Sequence, residues 1–144
     1  MKKIALLVIL VFSAYAYVDK NAASIPMSLT NPASALSALS DAFNNKTSNI
    51  QVEGIGVVVH LFPDDRKGSK HQKFILKLSS GQTVLISHNI SLAARINSLK
   101  KGDMVNFYGE YKWNPKGGVV HWTHRDPTGK HRDGWLKHNG LIFQ

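Results

Sequence analysis

The chain has 144 residues, of which 43% are hydrophobic, and it carries 18 Lys and Arg against 9 Asp and Glu, a formal charge of +9. Typical domains have roughly 100 to 200 residues, so this length accommodates one domain. Cysteine is absent, which excludes disulfide scaffolds, thiolate metal sites, thiol nucleophiles and dithiol redox motifs. The excess of positive charge favours a polyanionic partner such as nucleic acid, an acidic glycan or lipid head groups.

The first 16 residues have the pattern of a secretory signal peptide. A short basic start is followed by an apolar run from Ile4 to Phe12 and by the small-x-small triplet Ala14-Tyr15-Ala16, which suits cleavage after residue 16. The apolar run is shorter than the roughly 20 residues that a membrane-spanning helix needs. We therefore expect an exported protein, periplasmic or secreted, without a transmembrane anchor after cleavage. Loss of two lysines with the signal peptide would lower the charge from +9 to +7.

A flexible leader is predicted over residues 17–31, followed by a helix over residues 32–45. Asn31 followed by proline is typical of a helix start, with an N-cap and proline at the first helical position. Leu36, Leu39 and Phe43 fall at helical spacing, so one side of the helix is apolar. We expect this side to pack on the domain that follows.

From residue 50 onward the apolar periodicity is that of β-strands. In the first strand the apolar positions move from even to odd numbers across Gly54 and Gly56, which predicts a bend that changes the buried face. A hairpin follows, with a turn at residues 79–81, and residues 91–96 are interpreted as a short helix. The remaining predicted elements are a fourth strand with Val105, Phe107, Tyr111 and Trp113 on one face, a connection at 114–118, a fifth strand over 119–124 and a short edge strand over 141–143.

This order of elements predicts a mainly β domain over residues 50–144. Five strands with a short helix between the third and fourth are the topology of the OB-fold, a small Greek-key barrel, here with an additional N-terminal helix. A strand bent at glycine is what such a barrel needs in order to close. A five-stranded sheet of the SH3-like or sandwich type is the alternative.

Charge is distributed unevenly along the predicted mature chain. Residues 17–65 carry 2 basic and 5 acidic side chains, a net charge of −3, whereas residues 66–137 carry 14 basic and 4 acidic side chains, a net charge of +10. All 7 histidines lie at or beyond residue 60. The positive character therefore belongs to the predicted barrel.

Several short motifs lie between residues 61 and 127, and the similarity that they carry covers roughly residues 34–144. They are Leu61-Phe62-Pro63-Asp64-Asp65, His71-Gln72-Lys73-Phe74-Ile75-Leu76, His88-Asn89-Ile90, Tyr108-Gly109-Glu110-Tyr111, Gly117-Gly118 and His121-Trp122-Thr123-His124-Arg125-Asp126-Pro127. In combination, these motifs resemble a bacterial domain-of-unknown-function family of small exported, OB-fold-like proteins. The pattern from Gly102 to Gly109 also resembles the fourth strand of many bacterial OB-type domains, which are mostly binding modules. The resemblance implies no particular activity.

A basic surface is predicted where OB-folds usually bind their ligands. The ligand crosses the second and third strands, between the loops that join strands one to two and four to five. Cations at these positions could follow a phosphate backbone, while an aromatic ring stacks on a base or sugar. The predicted ligand contacts are Arg66, Lys67, Lys70, His71, Gln72, Lys73, Lys77, Tyr108, Lys116 and Trp122. A solvated basic surface that only keeps the protein soluble is the alternative.

Clustered histidines and aspartates suggest a second kind of site. His121, His124, Asp126 and His131 could bind zinc or a similar divalent ion, because imidazole and carboxylate are common ligands for such ions. In a regular strand His121 and His124 would point to opposite faces, so one ion could bind both only if the chain bends between them. Turns and structural histidines with satisfied ring nitrogens are the alternative.

Two functions follow from these patterns. The leading hypothesis is an exported OB-fold protein without a cofactor that binds an anionic ligand, either nucleic acid or an acidic glycan. The second is a metal-dependent nuclease or phosphodiesterase, in which imidazole would act as general base near neutral pH. Its candidate catalytic residues are His71, His88, His121 and His124. A structural envelope or host-interaction protein is a third interpretation.

Overall fold

A capped helix opens the folded region, as the sequence predicts. The computed structural model describes residues 31–144, and α1 spans Pro32–Asn44. The Asn31 side chain accepts a hydrogen bond from the Ala33 backbone N–H at 3.1 Å, which satisfies one of the free donors at the helix start. Leu39 is completely buried, so the apolar side of α1 faces the barrel. The predicted signal peptide, 1–16, and residues 17–30 of the predicted leader lie outside the described residues.

Five of the strands close into a barrel. The first five strands are β1 (Ile50–Leu61), β2 (His71–Lys77), β3 (Thr83–Asn89), β4 (Met104–Lys112) and β5 (Val119–His121). Their order is β1-β2-β3-β5-β4, and β4 pairs back to β1, which closes the barrel. The β3–β5 pair is parallel and the other pairs are antiparallel. This is the predicted OB-fold-like topology. Within residues 31–144, no helix has the length and apolar character needed to cross a membrane.

The interior follows one parity in each strand, which corrects the predicted change of face in β1. Val52 and Val58 are buried, while Ile55 and Val57 are 40% and 38% exposed, so even positions face inward up to residue 58. A register irregularity lies between residues 58 and 60. Gly54 is an interior position because a Cβ there would lie 2.5 Å from the Phe107 ring. The glycines therefore leave room for core side chains from other strands, and they do not mark a change of buried face.

The connection between β3 and β4 is not helical, and here the prediction was wrong. Residues 90–103 contain turns instead of the short helix expected over 91–96. Backbone groups that a helix would pair internally bond to side chains from the barrel. Gln72 accepts from the Ile96 N–H and donates to the Ile96 carbonyl, both at 2.9 Å, and His88 Nε2 donates to the Ala94 carbonyl at 3.1 Å. This connection closes one end of the barrel through Ile96, which is fully buried.

Two further strands follow β5 in the chain and extend the sheet from β4. β6 (Trp135–His138) was not predicted, whereas β7 (Leu141–Phe143) occupies the predicted edge strand. β1 covers one edge of β4, so β5 and β6 lie one after the other on the opposite edge, at residues 110–112 and 106–108 of β4. The chain leaves this ladder after residue 121 and returns at residue 135. The predicted fifth strand, 119–124, therefore ends three residues early, and residues 122–134 form a loop.

Candidate functional site

The outer surface of three neighbouring strands forms a continuous half-buried face. Its register rows join Lys73 to Ser87 and Ile75 to Leu85, and the parallel pairing of Leu85 with Val119 extends them onto β5. We call this surface the β2–β3–β5 face. Its outward positions are His71, Lys73, Ile75, Lys77, Thr83, Leu85, Ser87, Asn89, Val119 and His121.

A basic loop stands at one end of this face. It comprises residues 62–70, and its exposed cations are Arg66, Lys67 and Lys70. Its base is anchored, because the Lys70 N–H donates to Ser91 Oγ at 3.1 Å and the Ile90 N–H donates to the Lys70 carbonyl at 2.9 Å. Within residues 31–144, these three cations form no salt bridge. Positive charge is thus presented on an anchored loop without an acidic partner.

Two predicted lysines on β2 differ in their surroundings. Lys73 Nζ lies 3.1 Å from Asp65 Oδ2, and both side chains are about one-third exposed. The Lys67 N–H and then Lys73 bond to the Asp65 carboxylate and lower its pKa. Lys77 is exposed and, among the described residues, has no acidic partner. Lys77 is therefore more available to a ligand than Lys73.

Lys116 lies at the opposite end of the face, in the loop formed by residues 113–118. This loop is folded against the start of β3, where a Cβ on Gly117 would overlap the Thr83 carbonyl. Gly117 has φ +117°, a conformation that favours glycine. The Lys116 side chain is exposed. The predicted basic positions thus occur at both ends of the β2–β3–β5 face.

Gln72 is not part of this surface, although it was predicted as a ligand contact. It is 2% exposed, and both atoms of its side-chain amide bond to the backbone of Ile96. Its neighbour His71 points outward and is half-buried. Gln72 therefore supports the connection between β3 and β4, and only His71 of this pair can face a ligand.

Two predicted catalytic histidines lie inside the protein. His88 is fully buried, with Nδ1 2.9 Å from Thr123 Oγ1 and Nε2 3.1 Å from the Ala94 carbonyl. Burial lowers the pKa of His88 to about 4, so its ring is neutral at pH 7. His124 is 3% exposed, and its Nδ1 donates to the Arg125 carbonyl at 2.7 Å. The four predicted catalytic histidines are thus divided between the interior and the outer face.

A carboxylate that sequence reasoning did not single out joins two of the histidines. Glu110 Oε1 lies 3.2 Å from His121 Nε2, and Glu110 Oε2 lies 2.7 Å from His131 Nε2. The other His131 nitrogen faces the Arg132 carbonyl at 2.8 Å. Burial opposes the charged form of His131, yet the bonds to Glu110 and Arg132 prevail and raise its pKa. Burial lowers the pKa of His121, although Glu110 opposes this shift.

The ring of Trp122 stacks on His131 and does not stand alone as a ligand platform. The ring centroids are 3.9 Å apart with an interplanar angle of 9°. Trp122 has φ +54°, a left-handed conformation that is rare for a bulky residue, and there the chain turns out of β5. The predicted contact Tyr108 likewise stacks on Trp135, at 6.0 Å between centroids.

The four predicted metal ligands do not form one cluster, although His121 and His131 both contact Glu110. The chain does bend between His121 and His124, at Trp122, but His124 turns into the interior. The Asp126 carboxylate accepts hydrogen bonds from its own loop, first from the Thr128 and His131 N–H groups, and these lower its pKa to about 2. In residues 31–144 no three His, Asp or Glu side chains are arranged to hold a metal ion. The hydrolase hypothesis stays a prediction.

Sequence reasoning missed Glu110 and three cations of the 122–134 loop, Arg125, Lys130 and Arg132. Glu110 faces His121 only through the β4–β5 register, which depends on where the 113–118 connection begins and ends. The alternation of residues on the two strands that flank this connection is the one signal in the sequence that bears on the pairing of Glu110 with His121. The three cations lie between the predicted fifth strand and the predicted edge strand, in a segment for which no strand was predicted. With β6 in place, they belong to a loop with both ends anchored.

The described residues form a closed, five-stranded OB-fold-like barrel with exposed cations at both ends of the β2–β3–β5 face. The family model described as "Protein of unknown function (DUF3465)" matches residues 23–144, and the chain belongs to this family. No curated protein matches the chain. The family description carries no activity, so function is argued from the geometry of the site.

Proposed function

We propose that this protein binds an anionic polymer, nucleic acid or acidic glycan, on the β2–β3–β5 face. The observation that carries the proposal is the position of Arg66, Lys67 and Lys70, exposed on an anchored loop and without a salt-bridge partner in residues 31–144. Lys77 and Lys116 extend the positive surface to the opposite end. Cations that are not neutralised within the protein attract and hold a polyanion.

The surface between these cations supports binding of an extended chain. Ile75, Leu85 and Val119 form a half-buried aliphatic row across three strands, and Ser87 and Asn89 provide hydrogen-bonding groups beside it. Such a face can cover the backbone of a polymer while the loops at its ends hold charged groups. OB-folds commonly bind oligonucleotides and oligosaccharides on this part of the barrel, an analogy that agrees with the charges but does not by itself carry the proposal.

The test measures affinity for a single-stranded oligonucleotide and for a sulfated oligosaccharide over a series of salt concentrations. The variant Arg66→Gln, Lys67→Gln, Lys70→Gln should bind on the order of tenfold more weakly near physiological salt. For the oligonucleotide, three lost contacts should reduce the slope of log affinity against log salt by about 2, because each contact releases about 0.7 counterion.

The matched control removes three exposed lysines elsewhere, Lys100→Gln, Lys101→Gln, Lys137→Gln. The Gly102 N–H donates to the Val58 carbonyl, which places the first two lysines beside β1 and β4, and Lys137 is on β6. The control should retain the affinity and salt slope of the unmodified protein. The proposal fails if neither polymer binds, if binding does not depend on salt, or if both triple variants lose affinity equally.

A further inference from the structure

The loop formed by residues 122–134 begins at the same end of the β2–β3–β5 face as the 62–70 loop. β5 runs parallel to β3, and β2 runs antiparallel to β3, so the end of β5 and the start of β2 lie at the same end of the sheet, on either side of β3. The Thr123 hydroxyl contacts His88 at the end of β3, at 2.9 Å. His71 and His124 are both close enough to His88 to disfavour its charged form. The two loops therefore flank the same end of the face.

The 122–134 loop is held in place along its length. Asp126 accepts hydrogen bonds from the N–H groups of Thr128, Lys130 and His131, at 2.7–2.9 Å. The Gly134 N–H donates to the His124 carbonyl at 2.9 Å, which joins the two ends of the loop. A Cβ at residue 134 would lie 2.5 Å from the Tyr108 carbonyl, so the return to β6 requires glycine. Side chains on this loop are thus presented from a defined backbone.

The acidic side chains of the loop are occupied by the loop itself. Asp126 bonds to backbone donors as described, and Asp133 Oδ1 accepts from the Asp126 N–H at 2.8 Å. Arg125, Lys130 and Arg132 are exposed and form no salt bridge within residues 31–144. His131 Nε2 lies 2.7 Å from Glu110 Oε2, which ties the loop to β4. The loop therefore presents three cations without an acidic partner, while its own backbone donates hydrogen bonds to its two carboxylates.

The rings near this face favour one class of polymer. Base recognition on OB-folds relies on aromatic side chains that stack on successive bases. The outward positions of β2 and β3 carry one imidazole, His71, and no Phe, Tyr or Trp. Trp122 stacks on His131, Tyr108 stacks on Trp135, and Phe62, which is 39% exposed at the start of the 62–70 loop, packs edge-on against His60. What the face offers is cations, a serine, an asparagine and an aliphatic row, which suit charged groups and sugar hydroxyls better than bases.

We propose that the 122–134 loop is the second half of the binding site. It would clasp an acidic polysaccharide, holding sulfate or carboxylate groups with Arg125, Lys130 and Arg132 while the 62–70 loop holds groups further along the chain. The inference rests on the proposed function and extends it with three new binding residues and a ligand class. Both loops lie at one end of the face, so a short oligosaccharide that crosses the strands there reaches both.

The experiment uses a sulfated octasaccharide, a carboxylated oligogalacturonate and a thymidine oligonucleotide of equal charge, each titrated at several salt concentrations. The variant Arg125→Gln, Arg132→Gln and the charge reversal Lys130→Glu should each weaken binding of at least one oligosaccharide by on the order of tenfold or more, with a lower salt dependence. The two saccharides distinguish a sulfate from a carboxylate source. Lys101→Glu, beside β1 and β4, should leave binding of the octasaccharide unchanged, and thermal melting checks that every variant is folded.

Different results would refute the clasp, the choice of polymer and the proposed function. Unchanged oligosaccharide affinity in the loop variants, with a loss in the 62–70 variant, would refute the clasp and leave the proposed function standing. Binding of the oligonucleotide as tight as that of either oligosaccharide would refute the choice of polymer. If none of the three polymers binds the unmodified protein, the proposed function itself fails.

Discussion

Protonation of His88 should destabilise the fold in mildly acidic solution. The ring is completely buried and its pKa is lowered to about 4 from an ordinary value of 6.5. Between these values the unfolded chain binds a proton that the folded chain excludes, so stability falls as the pH decreases. Stability from this group is complete above pH 6.5, and its loss ends below pH 4. A gap of about 2.5 pH units at 1.36 kcal/mol each corresponds to about 3 kcal/mol.

The assay compares the unmodified protein with His88→Gln by urea denaturation at pH 7, 5.5 and 4.5. At pH 7 the variant should be less stable by about 1–3 kcal/mol, because the amide cannot reproduce both hydrogen bonds of the ring. At pH 4.5 the unmodified protein has lost about 2 kcal/mol through His88 and the variant has not, so the difference should vanish or reverse.

Other titrating groups are common to both proteins and cancel in the comparison. His60→Gln, at an exposed position on β1, is the control and should have the same pH dependence as the unmodified protein. A stability difference between the unmodified protein and His88→Gln that is constant from pH 7 to 4.5 would refute the reasoning. That result would mean that the ring accepts a proton in the folded state without cost.

Three further predictions concern the parts of the structure that position the face and its loops. Gly117→Ala should lower the free energy of unfolding by more than 2 kcal/mol, because a Cβ there overlaps the backbone of β3. Gly68→Ala, with φ +68° and open space around it, should lower it by about 1 kcal/mol. Equal losses in denaturation experiments would contradict the packing argument. Gln72→Leu should lower the free energy of unfolding by about 2–4 kcal/mol, because it leaves two buried backbone groups without partners, and a loss below 1 kcal/mol would show that this pairing is dispensable. Glu110→Gln should speed amide hydrogen exchange in the 122–134 loop and leave the centre of β3 protected, because it weakens the bonds to both histidines; unchanged exchange in the loop would show that Glu110 does not hold it.

Local patterns were sufficient for most of the barrel. The alternation that places Val105, Phe107 and Tyr111 on one face predicted β4 correctly, and all three side chains are fully buried. Asn31 predicted the start of α1, because an N-cap is a local hydrogen bond between residues close in sequence. These features depend on neighbours within a few positions, and such dependence can be read from the chain alone.

The errors occur where distant residues compete for the same backbone or space. Residues 91–96 have a helical pattern, but Gln72 and His88 bond to the backbone there and replace the helix. The interior positions of Gly54 and Gly56 depend on Phe107 and Leu76, which fill the space that side chains would need. Neither fact is contained in the local pattern.

The sequence alone determines the composition of the candidate site, because it gives the basic character of residues 66–137 and the cations at residues 66, 67, 70, 77 and 116. The tertiary structure decided which side chains are accessible and which belong together. It buried His88, His124 and Gln72, and it joined Glu110 to His121 and His131. The physical reason is that burial and strand register depend on contacts between residues far apart in the chain. A charge count does not depend on such contacts.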